Sequence, residues 1–299
     1  NYNKNFERLK KEKIKLYVGH SKKNISKATI LIISSAVKHN NIEYKEAKRK
    51  KIPIYKRGDA LANIVSLMKN IVVAGSHGKT TTTSILGSIL EESNLDPTIV
   101  NGGIINSLSS NTKKGSGDWM ITEADESDGS FLHLPHEINI ITNIDSEHID
   151  YYSNFKNLFN SFKEFASNIP FYGFSVICLE NIYSNKLSKK IITRNVITYG
   201  INKLNADFNI ISMNVINKKS NFVVLVSPKL FKGKKRKLRF SLNLIGIHNI
   251  LNAAAAIAVS LKIGIKTSLI KKSLINFKGV QRRFTLLGCV NSTKIYDDY

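Results

Sequence analysis

Two cysteines in 299 residues, Cys178 and Cys289, are too few for a disulfide framework. Cys178 lies in the apolar run Ser175–Leu179 and reads as a small core residue. Long apolar runs are missing too. A bilayer span needs roughly 20 such residues; the longest candidates, Thr29–Val37 and Ala253–Leu261, read as a buried strand and a core helix. Asn1–Lys15 is polar and lysine-rich, unlike a secretory leader. Together these absences lead us to expect a cytoplasmic protein with no membrane insertion.

Acidic residues are scarce: 22 Asp and Glu stand against 45 Lys and Arg, a formal charge of +23. Such an excess invites a nucleic-acid reading. The signatures that would support one are absent: no zinc-finger spacing, no RNA-recognition motif, no aromatic–basic alternation. The lysines are scattered among many Asn and Ile, as AT-rich codons would give. The densest cluster, Lys229–Arg239 around Gly233, lies between two strand-like runs and is expected to be a solvated hairpin tip. No nucleic-acid partner is expected. Internal repeats are also lacking, and nothing in the sequence speaks to oligomeric state.

What is present is enough apolar residue, 42%, for one or two packed domains. Ile14–Val18 and Thr29–Ser34 read as buried strands, Asn41–Lys50 as a helix, Ile52–Tyr55 as a strand and Asp59–Met68 as a helix. A second unit opens with Ile71–Ala74, a glycine-bearing loop and a helix over Thr80–Ser93. Trp119–Thr122 and Ile138–Thr142 are short apolar runs of the buried parallel kind. Helical spacing of aromatic residues marks Asn154–Asn168 as an amphipathic helix whose stripe is core packing. Strand pairs follow over Phe208–Val215, Asn221–Val226 and Leu238–Leu244. Helices come last over Asn249–Leu261 and Ser268–Phe277, the second with Thr267 as N-cap. The expected fold is α/β: a parallel sheet flanked by helices, with an antiparallel appendage late in the second unit.

Gly75-Ser76-His77-Gly78-Lys79-Thr80-Thr81 follows a strand and opens a helix. Glycines let successive N–H groups turn inward onto phosphate oxygens, and the helix start adds its own N–H groups and dipole. Lys79 can bring a point charge to β- and γ-phosphates, and the Thr80 hydroxyl can ligate Mg²⁺. The loop departs from GxxxxGK[ST] in one respect: Val73 stands where the first glycine would fall. An acidic run, Glu123-Ala124-Asp125-Glu126-Ser127-Asp128, begins at a strand's C-terminal end, the edge where ligands bind in open α/β sheets. Glu123 is positioned to share the metal. A third polar segment, Asn143–Asp150, leaves the next strand with His148 among carboxylates, a candidate ligand. His133 and His136 have no comparable context.

These segments, in this order, resemble the Mur ligases of peptidoglycan synthesis. The loop GSHGKTT, EADESDGSF (Glu123–Phe131), TNIDSEHIDYY (Thr142–Tyr152), GIHNILNAAAA (Gly246–Ala256), GVQRRF (Gly279–Phe284) and the closing DDY carry the resemblance, which covers essentially the whole chain. Ser127, where the peptide-adding branch typically has Tyr, favours the branch that joins L-alanine to UDP-N-acetylmuramate; peptide addition and a non-catalytic nucleotide-binding remnant are the alternatives.

The resemblance implies an ATP- and Mg²⁺-dependent carboxylate–amine ligase acting through an acyl phosphate. It implies a partial Rossmann-like UDP-substrate domain over 1–69, a central ATP-binding domain over 70–283 and the start of an amino-acid-binding domain over 284–299. The chain then reads as a fragment with little activity alone. By motif, Gly75 to Thr81 hold the nucleotide's phosphates, Lys79 and His148 act in catalysis, and Thr80, Glu123 and His148 bind metal. His248, Asn249, Arg283 and Asp298 contact the nucleotide, Arg283 with its neighbour Arg282 at the hinge into the next domain, and Tyr299 lies near the alanine pocket.

Overall fold

The computed structural model describes residues 4–34, 36–106, 108, 110–230, 235–281, 285–291 and 293–297. The chain divides into two compact units, residues 1–63 and 64–299.

The first unit contains α1 (Lys4–Lys11), a 3-10 turn at Lys22–Ile25, β1 (Leu31–Ile33), α2 (Ile42–Arg49), β2 (Ile54–Lys56) and most of α3 (Arg57–Val65). β1 and β2 pair in parallel, Leu31 opposite Ile54. Asn41 caps α2, its Oδ1 accepting from the Glu43 N–H at 2.9 Å and the Tyr44 N–H at 3.3 Å. Two sequence expectations need correction. Ile14–Val18 forms no strand, and Ile14, Tyr17 and Val18 are exposed. A short apolar run becomes a strand only where a neighbour completes its ladder, and among the described residues β1 and β2 pair only with each other. The strand expected over Thr29–Ser34 shrinks to β1 and is not buried, with Ile32 56% exposed.

The second unit runs β3 (Lys69–Ala74), α4 (Lys79–Glu92), β4 (Thr98–Ile105), β5 (Ser110–Lys113), β6 (Trp119–Glu123), β7 (Ile138–Ile141), α5 (Ile149–Tyr152) and α6 (Phe155–Ser167). It continues through β8 (Phe174–Cys178), α7 (Ile182–Lys190), β9 (Val196–Ile201), β10 (Phe208–Ile216), β11 (Lys219–Val226) and β12 (Arg236–Leu242). α8 (Ile247–Lys262) and α9 (Thr267–Asn276) follow, and β13 (Thr285–Val290) and β14 (Thr293–Asp297) form a separate antiparallel pair. Strands β3 to β12 make one sheet in the order β12-β11-β10-β9-β8-β7-β3-β6-β4-β5. It is parallel from β10 through to β4 and antiparallel at both margins.

Burial explains which runs became which strands. β7 and β8 are buried along their whole length, and β3 after its first residue, so they read as mainly apolar stretches, interrupted only by the buried Asn139, Ser175 and Asn70. α4 and α8 pack on each other, and α9 packs on α4. The run Ala253–Ala256 is fully buried because small side chains let two helices and the sheet approach closely. At one margin, β12 is an edge strand whose Arg236, Lys237 and Arg239 are exposed. Basic side chains there oppose edge-to-edge pairing. Part of the basic cluster is thus accounted for by β12, which pairs Arg236 with Val226; residues 231–234, including Gly233, lie outside the described residues. The Thr267 cap expected for α9 is also corrected: Lys266 holds the N-cap position with no side-chain bond, and Thr267 is the first helical residue.

A buried aspartate fastens the parallel crossover from β9 into β10. Asp207 accepts from the Thr198 N–H (3.0 Å), the Thr198 hydroxyl (3.2 Å), the Ser227 hydroxyl (3.0 Å) and Lys229 Nζ (3.2 Å). Asp207→Ala leaves several of these donors without an acceptor. We expect a loss of about 1–3 kcal/mol in urea unfolding, with the loop between β3 and α4 unchanged.

Candidate functional site

β3 lies between β6 and β7, the point where successive connections leave the sheet in opposite directions. A crevice opens there at the strands' C-terminal ends. Register brings Val73 opposite Glu123 and Ala74 opposite Ile141, so the ends of all three strands meet. Val73 is a fully buried strand residue, which is why no glycine is needed at that position. The turn begins at Gly75, with φ +132°, and ends at Gly78, with φ +85°. A Cβ on Gly75 would meet Thr142 Oγ1 at 2.1 Å, and one on Gly78 would meet Asn252 Oδ1 at 2.4 Å. Both positions require glycine for conformation and for space.

The turn is stapled to the segment after β7. Asn143 Oδ1 accepts from the His77 N–H at 2.8 Å, and Asn143 Nδ2 donates to the His77 carbonyl at 3.0 Å. The Thr142 hydroxyl donates to the same carbonyl at 2.6 Å, and Ser76 Oγ accepts from the Asp145 N–H at 2.9 Å. His77 itself is exposed, its Nε2 3.6 Å from Asp145 Oδ2 and 3.4 Å from Glu147 Oε1. These bonds hold the loop open over the start of α4. That helix has no side-chain cap at Gly78 and no acidic residue in its first turn, so its N-terminus remains available to an anion.

Two pairs of side chains face the turn. The Thr80 hydroxyl donates to Glu123 Oε2 at 2.8 Å. Burial raises the Glu123 pKa, and the Thr80 hydrogen bond, the Lys79 charge and the Gly102 N–H oppose it only in part. A hydroxyl and a carboxylate oxygen converging in this way suit a hard divalent cation. Lys79 Nζ donates to Glu126 at 2.8 and 3.0 Å and to the Gly75 carbonyl at 2.7 Å. Glu126 is almost wholly buried. His148, in left-handed conformation at φ +57°, brings Nε2 to 4.0 Å from Glu126 Oε1. Glu126, Glu147 and His148 each offer one ligand atom within 4.8 Å of the others.

The structure therefore gathers Gly75, Ser76, His77, Gly78, Lys79, Thr80, Glu123 and His148 at one crevice, with Thr81 buried behind them on α4. It does not bring His248 or Asn249 to the loop through any hydrogen bond. His248 is exposed beside Gly246, and Asn249 Nδ2 donates to the Ile245 carbonyl at 2.8 Å. The α8 residue that meets the loop is Asn252, one turn further along. Arg282, Arg283, Asp298 and Tyr299 lie outside the described residues. His136 is structural, with Nδ1 and Nε2 on the Leu134 and Phe165 carbonyls at 2.7 and 2.8 Å. Sequence reasoning missed Glu126, Asn143 and Asn252. A strand glycine pair supports two residues that were read from the sequence: a Cβ on Gly102 would overlap Glu123 Oε1 at 1.9 Å, and one on Gly103 would meet Thr80 Cγ2 at 2.9 Å.

Residues 73–260 match the family model described as Mur ligase middle domain, a stretch that contains the whole crevice. The chain belongs to the Mur ligase family. Residues 1–69 match a second model, Mur ligase family, catalytic domain. Among curated relatives of this Mur ligase chain is the UDP-N-acetylmuramate–L-alanine ligase of Pelagibacter ubique, 51% identical over 301 residues, covering 99% of this chain and 64% of the relative. The enzyme of the same name from Bartonella bacilliformis is 44% identical, covering 99% of this chain and 62% of the relative. The crystal structure of UDP-N-acetylmuramate–alanine ligase from Thermotoga maritima superimposes with a TM-score of 0.82 at 26% identity, covering 100% of this chain and 66% of that one. A murein peptide ligase from Psychrobacter arcticus shares the fold at a TM-score of 0.81 and 20% identity, covering 98% of this chain and 65% of that one. The chain thus spans somewhat less than two thirds of the length of these relatives. Among the described residues no helix is long and apolar enough to cross a membrane.

Proposed function

We propose that the protein to which these residues belong joins L-alanine to the carboxylate of UDP-N-acetylmuramate, with ATP as the energy source and Mg²⁺ as cofactor, in the cytoplasm. The observation that carries this reading is the crevice at β3, where an uncapped helix start, Lys79 and the Thr80–Glu123 pair converge. The names of the relatives supply the substrates. In chemical terms, a carboxylate oxygen of the muramoyl group attacks the γ-phosphorus and ADP leaves. The alanine amine then displaces phosphate from the acyl phosphate and loses a proton.

The chain's own residues bind and orient. Gly75 to Gly78 curl the backbone, the first N–H groups of α4 face the phosphates, and Lys79 neutralises charge on the transferring group. Thr80 and Glu123 would hold Mg²⁺, with His148 and its neighbouring carboxylates a second divalent position; the metal supplies charge neutralisation. Asn143 fixes the loop through its bonds to His77, and Asn252 lies against Gly78. His248 and Asn249 are assigned to the nucleotide, Asn249 at its adenine end, Arg283 and Asp298 to further nucleotide contacts and Tyr299 to the alanine pocket. The reading assigns residues 1–69 to the UDP substrate, 70–283 to ATP and 284–299 to the start of the amino-acid domain. The test is phosphate release by the full-length protein. We expect it to require ATP, UDP-N-acetylmuramate and L-alanine together; release that ignores either acceptor would overturn the assignment.

A further inference from the structure

We infer that Glu126 is a positioning residue that holds Lys79 away from the phosphate position until a nucleotide displaces it. The inference rests on the reading of Lys79 as a phosphate-binding group. A lysine ammonium has three donors. Here both Glu126 oxygens lie within 3.0 Å of Nζ, the Gly75 carbonyl is at 2.7 Å and the Ser76 carbonyl at 3.4 Å. Every donor is committed, so direct contact with a phosphate oxygen requires release of Glu126.

Glu126 is built not to follow. Its own carbonyl accepts from the Tyr152 hydroxyl at 2.5 Å and from the Gly129 N–H at 3.3 Å, which pins the backbone. Burial and neighbouring carboxylates push the Tyr152 phenol upward, so it remains a donor. The Glu126 side chain is only 2% exposed, and among the described residues Lys79 is its sole hydrogen-bond donor. Once Lys79 turns to phosphate, the stranded carboxylate faces His148 Nε2, 4.0 Å from its Oε1. A buried carboxylate without a partner is costly. The loop therefore exchanges one counter-ion for another: Glu126 guards Lys79 when the site is empty and becomes a demand for positive charge when it is filled.

The test is calorimetric binding of ATP and of AMP to the full-length protein in EDTA, for wild type, Glu126→Gln, Glu126→Asp and Lys79→Ala. A guard closed about nine-tenths of the time weakens apparent affinity about tenfold. Glu126→Gln is expected to recover that factor for ATP, which reaches Lys79, and to leave AMP unchanged. Glu126→Asp, too short to keep both contacts, is expected to recover part of it; it carries the test alone if the glutamine variant melts early. ATP affinity that stays equal or falls in both variants, or ATP and AMP tightening alike, overturns the proposal. If wild type and Lys79→Ala bind ATP equally, the phosphate-loop reading itself fails and the guard with it.

Discussion

Lys79→Ala is expected to reduce ligase turnover of the full-length protein by at least about 10²–10³-fold, the scale of one preorganised charge-stabilising donor. Two separate losses contribute. The first is the ammonium that meets charge developing on the phosphoryl group. The second is the counter-ion of Glu126, whose side chain is 2% exposed. Removing one partner of a buried pair commonly costs about 3–5 kcal/mol; with Lys79 itself 18% exposed, the low end applies. The losses separate in a double variant. Lys79→Ala with Glu126→Ala removes the stranded carboxylate, so thermal stability is expected to return toward wild type while turnover stays low. Lys79→Arg is not expected to rescue, because a planar guanidinium cannot follow a turn in which the ammonium sits against the Gly75 carbonyl at 2.7 Å. Turnover retained in Lys79→Ala would remove the loop from the mechanism.

The sheet's centre was legible because its strands are buried on both faces. β3, β6 and β7 read as apolar runs, and polar residues emerge abruptly at their C-terminal ends, which is where the crevice lies. The loop was legible for the same reason. A glycine turn between such a strand and a helix has few purposes, and the convergence of Thr80 with Glu123 followed from strand order. What could not be read was the partnership across the crevice. Glu126 sits in an acidic run that by itself reads as solvated surface, and only folding shows that it is buried against Lys79. Asn252 is hidden inside a helix that otherwise reads as core.

The peripheral elements were harder still. β4 carries Asn101, Gly102 and Gly103, a composition that suggests a turn, yet it is a strand whose glycines make room for Glu123 and Thr80. Local propensity lost to the steric needs of the site. At Ile14–Val18 the expected strand does not form, because the propensity of β-favouring residues alone supplies no neighbour.

Glu123→Gln is expected to have opposite effects on stability and on binding. Burial raises the Glu123 carboxyl above its ordinary 4.5, so between that pH and its folded pKa the folded chain holds more protons than the unfolded one. Stability therefore falls as pH rises through this window, and the penalty persists at neutral pH. Glutamine removes the charge but keeps an oxygen to accept from Thr80. The ligand-free variant is expected to melt higher than wild type at pH 7, with the gap closing toward pH 4. Binding moves the other way, because the carboxylate is what a divalent cation requires. Mg²⁺-dependent ATP affinity is expected to fall by at least about 10–100-fold, the loss that even outer partners of a metal site produce, while ATP affinity in EDTA stays near wild type. Calorimetry with and without Mg²⁺, beside melting curves at two pH values, reads both effects on one sample. A variant that melts lower at pH 7 while retaining the Mg²⁺ response would show Glu123 to be a structural acceptor for Thr80 and the Gly102 N–H. The predicted combination, a more stable protein that no longer responds to Mg²⁺, is what a buried carboxylate kept for a cation produces.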